Sequence, residues 1–505
     1  MVRHMTSNSD SELWKNLPWK KFRKNLFRLQ CRVWKAIRVG DRKRANNLQK
    51  LILKSRSARL LAIRQVTQLN QGKKTAGVDG KASLNYKQRL ELDNLLKEQV
   101  NTWTHNKLRE IPIPKKDGTQ RILKVPTMAD RAWQCIIKYI LEPAHEATFH
   151  PRSYGFRPSR SAHDAQTYLF NNLRSKSNGK DKIILEMDIE KCFDRINHKH
   201  LMSQLIAPQN AKLGLWKCLK VGVNPEFPEQ GTPQGGVCSP LLANIALNGI
   251  ESIHKSVRYA DDMVFIFKKS DDQAKVFDEI IEFLRVRGLN IKKAKTRFVS
   301  ATDGFDFLGW RFKVQHNGKF RCTPSEENYL AFRKKVKSIV NNSNYGASIK
   351  AQKLAPLVRG WRCYHRYCKM DGSRFSLWFT RLRAWKVFNK ETKLSRHQTD
   401  ALIVKAFPAV AYSENKHIMV KGDASPFNGD IVYWSKREAK LYDGITAKAL
   451  IKQNHTCEYC GLGFIDGEDI NLHHTDSNHN NWKLQNVTAL HKSCHQYIHM
   501  SKRET

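Results

Sequence analysis

The sequence has 505 residues, of which 89 are lysine or arginine and 46 are aspartate or glutamate, so its formal net charge is +43. A hydrophobic content of 40% excludes a disordered chain, and the length suggests about three domains. A positive surplus of this size favours a polyanionic partner, because each phosphate that the protein neutralises releases condensed counterions. The alternative, a charge that serves only solubility, is disfavoured at this magnitude.

The cysteines and the hydropathy pattern bear on where the protein works. Eleven cysteines are scattered over the chain without the spacing of a disulfide framework. Three of them, Cys457, Cys460 and Cys494, gather near the C-terminus, which indicates a metal site rather than disulfide bonds. No apolar stretch is long enough to span a membrane, and charges interrupt the N-terminus where a signal peptide would be apolar. The sequence therefore predicts a cytoplasmic protein with no membrane partner.

The first 60 residues form a strongly basic segment with 17 lysines and arginines but only three acids. Its apolar residues approximate one helical stripe, at Phe27, Leu29, Val33, Trp34 and Ile37. We interpret residues 1–70 as an N-terminal extension of one or two amphipathic helices that binds RNA, because the acids that balance an ordinary surface are missing. The alternative is an ordinary solvated helix face.

The next part of the chain, residues 73–308, alternates short apolar runs with helical patterns, which indicates an α+β fold. Three runs are predicted to be strands: 109–113, 183–189 and 263–267. Residues 325–400 are typical of helices, one of which should bury Phe332, Val336, Ile339 and Val340 on a single face. The large side chains of this part are expected to fill its core: Trp361, Tyr364, Trp378, Leu382 and Trp385.

Two acidic segments carry the first candidate chemistry. Asp188 ends an apolar strand, and Asp261 and Asp262 lie 73 residues later between apolar flanks. This pattern is typical of a β-hairpin whose two-residue turn is made of the two acids. Together the segments can hold two magnesium ions about 4 Å apart, as nucleotidyl transfer requires. An Asp-Asp pair alone is usually a solvated turn, so the assignment depends on the joint pattern.

The joint pattern resembles that of reverse transcriptases. Tyr259-Ala260-Asp261-Asp262 matches their signature tetrapeptide, Asp188 stands at their first catalytic aspartate, and residues 230–240 (QGTPQGGVCSP) match a landmark between the two. The resemblance implies that the three aspartates are catalytic and bind Mg²⁺. It also implies a set of nucleotide-binding residues: Lys116 and Arg121 on a fingers loop, Phe193 as the aromatic that blocks a ribose 2′-hydroxyl, and Gln234. A core role for Phe193 is the alternative, and the two roles are compatible.

Further segments resemble group II intron-encoded proteins, namely residues 76–80 (AGVDG), 126–131 (PTMADR) and 153–158 (SYGFRP). Arg359-Gly360-Trp361 with Tyr364 is similar to the thumb, or maturase, domain of that family, although read alone it could be plain helical core. The resemblance implies a multidomain α+β protein shaped as a right-hand polymerase. Its expected parts are fingers and palm over 71–315, a helical thumb over 316–408 and a DNA-binding segment over 409–445.

The last sixty residues hold a Cys/His cluster. The pairs Cys457-x-x-Cys460 and His491-x-x-Cys494 are separated by thirty residues, and four such ligands predict a closed tetrahedral zinc site. With the remaining histidines and an asparagine, the segment resembles an HNH nuclease, which implies a zinc-stapled ββα module over 446–505. The implied roles are His474 as general base, His473 and His495 as ligands of a divalent ion that is expected to be Mg²⁺, and Asn486 as the residue that orients the base. The alternative is a zinc-stapled knuckle that only binds nucleic acid.

The combined resemblance implies an RNA-directed DNA polymerase that is also an intron maturase. Such a protein would bind its group II intron RNA, assist splicing, nick target DNA with the HNH module and copy the intron from the nicked end with dNTPs. One alternative is a splicing maturase with a vestigial polymerase, against which the intact aspartates argue. The other is a reverse transcriptase of a defence or CRISPR system, against which the thumb and HNH segments argue. The sequence does not indicate an oligomeric state.

Overall fold

The computed structural model describes residues 5–501 except 115–117, 119, 223–224, 371–374, 376, 393–394, 431, 435–436, 438–443, 465–469 and 480. The first half of the chain contains these helices: α1 Met5–Lys15, α2 Trp19–Arg38, α3 Arg42–Lys54, α4 Arg56–Arg64, α5 Tyr86–Gln99, α6 Met128–Glu146, α7 Ala162–Leu173, α8 Cys192–Arg195, α9 His198–Gln204, α10 Gln209–Val221 and α11 Ser239–Leu247. The second half contains α12 Gln273–Arg285, α13 Glu326–Val340, α14 Ala347–Tyr364, α15 Trp378–Thr392, α16 Arg396–Ala406, α17 Gly444–Lys452 and α18 Lys492–Ser501. Among these described helices, none combines the length and the apolarity needed to cross a bilayer.

Eleven described strands form four antiparallel sheets. The strands are β1 Arg109–Pro114, β2 Gln120–Val125, β3 Ile183–Met187, β4 Ser256–Tyr259, β5 Asp262–Phe267, β6 Arg297–Ser300, β7 Phe305–Phe307, β8 Trp310–Val314, β9 Phe320–Pro324, β10 Ile470–His474 and β11 Val487–His491. β1 pairs with β2, β10 pairs with β11, and β7, β8 and β9 form a three-stranded sheet. The fourth sheet, which we call the palm sheet, has the order β4-β5-β3-β6. The three predicted strands are confirmed, although β3 ends at Met187, two residues earlier than expected.

The two central strands of the palm sheet, β3 and β5, are largely buried on both faces, and the alternation of their side chains assigns these to two cores. Leu185, Met187 and Phe265 lie in the core that contains α6, whereas Ile184 and Val264 lie in the core beneath the sheet β7–β9. Because both faces are covered, the strands are apolar runs rather than alternating ones. The ends of β3, β4 and β5 are held rigidly by this double packing.

The basic N-terminal segment is an integral part of the larger core. α2 packs on α6, and its fully buried face contains Trp19, Phe22, Leu26, Val33 and Ala36. Of the predicted stripe, only Val33 is fully buried, and the other four residues lie half-buried beside it. The predicted stripe is therefore rotated about the helix axis from the face that is buried. The polar Gln30 lies on the buried face, where its side chain donates to the carbonyl of Tyr139 at 3.2 Å. The segment is therefore part of the folded core, and only the outer face of α2 is open to solvent.

The helices α13–α16 form a separate thumb core, as predicted. Phe332, Val336 and Val340 are buried on one face of α13, and Phe332 stacks on Trp361 with ring centroids 4.6 Å apart. The prediction is wrong for two of the expected core residues, since Trp378 is 59% exposed and Leu382 is 38% exposed. These residues lie on the outer side of α15, which faces away from the other thumb helices.

Tyr364 connects the thumb to the palm instead of filling the thumb core. Its ring stacks on Trp310 of β8, with centroids 4.5 Å apart and planes 6° from parallel. Its hydroxyl donates to the carbonyl of Leu308 at 2.7 Å. The thumb is therefore joined to the sheet β7–β9 through an aromatic contact and a hydrogen bond.

The segment predicted to bind DNA is residues 409–445, and its described residues are anchored at Asp164 of α7. Both carboxylate oxygens of Asp164 accept from Arg437, at 2.6 and 2.7 Å, and His417 lies 3.0 Å from one of them. Although burial opposes ionisation, these partners hold the pKa of Asp164 well below its ordinary value. Since Arg437 and Trp434 are buried, any DNA contact of this segment must come from its exposed residues.

The C-terminal module packs against the N-terminal helices. Arg64 of α4 donates to the carbonyl of Ser493 at 2.8 Å, and Arg23 of α2 donates to the hydroxyl of the same serine at 3.1 Å. Ser493 lies in the first turn of α18, between two predicted zinc ligands. The two ends of the chain are thus in contact, although more than 400 residues separate them.

Candidate functional site

The hairpin between β4 and β5 presents two of the candidate carboxylates. Tyr259 pairs with Asp262, so the two-residue turn consists of Ala260 and Asp261. The prediction that the two acids form the turn is therefore wrong by one residue, since Asp262 is the first residue of β5. Ala260 adopts a φ of 61°, a left-handed conformation that is rare for a residue with a side chain and must be held by its surroundings.

Two neighbouring residues hold this turn in place, and no structural role had been predicted for either of them. The buried Arg258 donates to the carbonyl of Ala260 at 3.0 Å and forms an ion pair with Glu251 at 2.6 Å. Gly155 lies so close that a Cβ there would be 2.4 Å from the backbone nitrogen of Ala260. Only glycine fits at this position, which gives a physical reason for the glycine in the 153–158 segment.

The third carboxylate, Asp188, follows β3 directly. Met187 pairs with Met263, so Asp188, the residue that follows β3, comes alongside Asp262. Loss of hydration and the charge of Asp188 raise the pKa of Asp261. Asp262 is open to solvent, yet partial desolvation and the charges of the other two aspartates raise its pKa to about 6. Three crowded carboxylates of this kind offer the hard oxygen ligands that magnesium prefers.

Lys295 is a further residue of this cluster. Its ammonium lies 3.1 Å from a carboxylate oxygen of Asp188. The structure places the lysine against the first aspartate.

The predicted nucleotide-binding side chains lie beside the carboxylates. Arg121 of β2 donates to the side-chain oxygen of Gln234, and the amide nitrogen of Gln234 lies 3.4 Å from a carboxylate oxygen of Asp194. The charge of Arg121 also reaches Asp261, where it opposes the rise of the pKa. Lys116 lies outside the described residues.

The glycine-rich landmark, residues 230–240, joins this part of the site to the hairpin formed by β1 and β2. Gly235 has a φ of 120°, and a Cβ there would lie 2.9 Å from the carbonyl oxygen of Lys124 on β2. The backbone nitrogen of Lys124 donates to the carbonyl of Gln234 at 2.7 Å. The glycine thus permits the landmark to contact the protein's own strand, which fixes Gln234 and Arg121 next to each other.

Phe193 lies at the boundary between the candidate site and the larger core. Its ring is half-buried and packs against the larger core, while its carbonyl accepts from the backbone nitrogen of Thr232 at 2.6 Å. The backbone position is therefore fixed by the glycine-rich landmark. Both roles considered for this ring are compatible with its place.

The C-terminal cluster brings the four predicted zinc ligands together. Ligand atoms of Cys457, Cys460, His491 and Cys494 all lie within 4.8 Å of one another, and all four residues are buried. Nδ1 of His491 lies 3.3 Å from the sulfur of Cys460, while Nε2 lies 3.2 Å from the carbonyl of Gly463. The carbonyl selects the tautomer that turns the lone pair of Nδ1 toward the thiols. Three sulfurs and one imidazole in this arrangement fit a structural zinc ion.

A second cluster in the module consists of histidines. His473 and His495 are close together as predicted, and His499 completes a group of three whose ligand atoms lie within 4.8 Å of one another. His499 was not among the predicted ligands, although it lies four residues after His495 and therefore on the same face of α18. Three imidazoles suit a divalent transition metal.

His474 points away from that cluster because successive residues of a strand face opposite sides. Its ring packs edge-on against Trp482, with centroids 4.6 Å apart, and its buried Nε2 has no hydrogen-bond partner among the described residues. Asn486 contacts the loop that follows His474 rather than the histidine itself. Its side-chain oxygen accepts from Thr475 and from the backbone of Asp476, each at 2.9 Å.

Comparisons with known proteins decide the family. Residues 113–312 match the family described as reverse transcriptase (RNA-dependent DNA polymerase), and residues 14–96 match the N-terminal domain of reverse transcriptase. Residues 330–401 match the maturase-specific domain of group II introns. A maturase-like protein of Euglena gracilis is 40% identical over 78% of this chain and 86% of its own length. The chain is a group II intron maturase-type reverse transcriptase.

Other relatives agree with this assignment. A maturase-like protein of Euglena longa is 36% identical over 78% of this chain and 86% of its own length. The group II intron-encoded protein LtrA of Lactococcus lactis is 35% identical over 30% of this chain and 26% of its own length. The match to the N-terminal domain crosses the predicted boundary at residue 70, in agreement with the packing of α2 on α6.

Phe193 offers a test of sugar selection by this maturase-type reverse transcriptase. If its ring fills the space of a ribose 2′-hydroxyl, Phe193→Val should raise ribonucleotide over deoxyribonucleotide incorporation by about tenfold or more. The measurement is that incorporation ratio, with the thermal midpoint recorded alongside. Phe277→Val is the control, because Phe277 is a half-buried phenylalanine of the same core on α12. A lower midpoint with an unchanged ratio would leave Phe193 as a core residue only.

Proposed function

We propose that this reverse transcriptase binds group II intron RNA, assists its splicing, nicks a DNA target with its C-terminal module and copies the RNA from the nicked end. The observation that carries the polymerase part is the meeting of Asp188, Asp261 and Asp262 beside Arg121 and Gln234. The nuclease part is supported by the two separate clusters of the C-terminal module.

In the polymerase site, the three aspartates would hold two magnesium ions. The ions would stabilise charge on the attacking and leaving oxygens. The chain's own residues have distinct tasks: Arg121 binds the triphosphate of a dNTP, while Gln234 keeps the arginine in place from the glycine-rich landmark. Arg258 and Gly155 keep the strained turn at Ala260, so that Asp261 stays directed at the same point when the site is empty or filled.

In the C-terminal module, the thiol cluster and the histidine cluster have different tasks. Zinc held by Cys457, Cys460, His491 and Cys494 would staple the fold. A divalent ion held by His473, His495 and His499 would bind the scissile phosphate. His474 accepts a proton from the attacking water through Nε2, a buried nitrogen without a described partner. Asn486 keeps the loop after His474 rigid.

The RNA partner follows from the family and from charge. α2 buries one face and exposes Lys20, Lys21, Lys24, Arg28 and Arg32 on the other. Five cations on one helix, within a chain of net charge +43, suit the phosphate backbone of a structured RNA. Deleting the segment would remove core residues, so the exposed cations must be replaced individually to measure their share of RNA affinity.

One assay tests the coupled proposal. The full chain, loaded with its co-purified RNA, is given duplex target DNA and dNTPs. The wild type should yield cDNA covalently joined to a nicked DNA strand. In His474→Ala nicking should fall by about 100- to 10,000-fold, and joined cDNA should disappear. Extension of a supplied primer should continue, because the polymerase carboxylates belong to another domain.

A control variant and two contrary outcomes complete this test. His397→Ala removes an exposed histidine of α16 and should change neither reaction. If His474→Ala nicks as well as the wild type, the module is a nucleic-acid-binding knuckle and the primer is made elsewhere. If the co-purified RNA is a host transfer RNA or a guide RNA, the intron partner is wrong.

A further inference from the structure

A cleft of about 560 Å³ lies between the C-terminal module and the N-terminal part of the polymerase. One wall consists of His495, Gln496 and His499 on α18. The opposite wall includes Lys73, Ser83 and Arg89, which come from the region just before and within α5. We call this space the inter-module cleft.

The cleft reaches the histidine cluster. Two of its three imidazoles, those of His495 and His499, line the cleft directly. A phosphate bound by a metal ion at this cluster would therefore lie next to the wall that the polymerase supplies.

Arg89 is held in the opposite wall as a desolvated cation. Its guanidinium carbon lies 5.0 Å from the ring centroid of Tyr86 and 5.7 Å from that of Trp14. Its Nε is buried and has no hydrogen-bond partner among the described residues, while the Tyr86 side chain interacts with another part of the guanidinium. Burial lowers the pKa of this arginine. A cation that is partly removed from water gains from an anionic neighbour, so this position is suited to an anionic ligand.

Lys73 adds a second positive charge to the same wall. Its ammonium donates to the carbonyl of Gln68 at 2.7 Å, and the backbone nitrogen of Ser83 donates to the carbonyl of Lys73 at 2.9 Å. The lysine is thus fixed at both ends, while an ammonium has three donors and this bond uses one. Among the described residues that line the cleft, none is acidic.

We propose that Arg89 and Lys73 bind phosphates of the DNA strand that the C-terminal module cuts. This inference rests on the proposed nuclease function. The polymerase part then completes the nuclease site, and the two activities share one substrate strand. Recognition through phosphates carries no base preference, so this wall would position the strand without selecting its sequence.

The test uses the full chain and a short target-site DNA duplex. Wild type, Arg89→Gln and Lys73→Gln are compared for DNA affinity across a salt series without added divalent metal, and then for nicking with Mg²⁺ and, separately, with Mn²⁺. Each variant should bind DNA about tenfold more weakly, and its log-affinity against log-salt slope should be flatter by about 0.9. Nicking at limiting DNA should fall to a similar extent, and extension of a supplied primer should not change.

Control variants separate this role from folding and from general charge. Lys87→Gln removes an exposed lysine of the same helix that does not line the cleft, and it should keep the wild-type slope. Arg89→Lys keeps the charge and should recover most of the affinity. If Arg89→Gln lowers the thermal midpoint because its aromatic neighbours lose their partner, Lys73→Gln decides, since its side chain is only half-buried.

The outcomes are distinct. Wild-type DNA affinity and salt slope in both Arg89→Gln and Lys73→Gln would overturn the proposal, as would a loss confined to an RNA duplex of the same length. A wild type that never nicks would contradict the nuclease function instead, and the metal-free affinities would still decide whether the wall binds DNA.

Discussion

Replacing Asp261 with alanine should abolish cDNA synthesis while RNA binding stays nearly intact. The substitution removes a carboxylate from a group of three in which desolvation and then mutual repulsion raise the pKa of Asp261 and of Asp262. A divalent cation relieves that repulsion, so loss of one ligand weakens both binding of the cation and stabilisation of the reacting phosphate. A loss of about 4 kcal/mol, or roughly 1,000-fold in rate, is the expected minimum.

The measurement is primer extension and filter binding of RNA on one preparation. The basic outer face of α2 is untouched by the substitution, so the RNA affinity and its salt dependence should match the wild type. Asp278→Ala is the matched control, since Asp278 is an exposed aspartate of α12. Polymerisation near the wild-type rate in Asp261→Ala would exclude the assignment of this turn to the active site.

Replacing Cys457 with serine should release about one zinc ion per chain and unfold the C-terminal module. Cys457, Cys460 and Cys494 form part of the module's small core together with Phe464 and Leu490. A core of this size cannot supply much stability by itself, whereas structural zinc contributes roughly 10–16 kcal/mol in comparable small domains. The cost of losing one ligand is therefore larger than the stability of the module.

Metal analysis, limited proteolysis and nicking on the same variant provide the test. Proteolysis should remove residues from about 450 onward, and nicking should cease, while extension of a supplied primer should continue. Cys31→Ser, which alters a half-buried cysteine of α2 outside both clusters, should retain the zinc. In contrast to Cys457→Ser, His474→Ala should keep both zinc and fold. Zinc loss in His474→Ala would show that the ligands are misassigned, and a Cys457→Ser protein that keeps zinc and module would show the same.

The sequence by itself determined the features that lie within short continuous segments. The apolar runs of β3 and β5 predicted strands because a sheet buried on both faces needs apolar residues at every position. The tetrapeptide at 259–262 and the two ligand pairs at 457–460 and 491–494 carried the family and the zinc chemistry, since their spacing along the chain already places the side chains together. The same local reasoning could have found His499, because it lies one helical turn from His495.

Tertiary structure decided what depends on packing between distant segments. α2 is covered by α6, and this contact determines that Leu26 rather than Phe27 lies fully in the core. Trp378 is exposed because none of the described thumb residues covers its side of α15, a fact that its hydrophobicity cannot indicate. The turn at Ala260 depends on Gly155, about 100 residues away, and the wall opposite His499 is supplied by Arg89 from the other end of the chain. No pattern within a short window encodes these partners, because each contact exists only once both segments have folded against a shared neighbour.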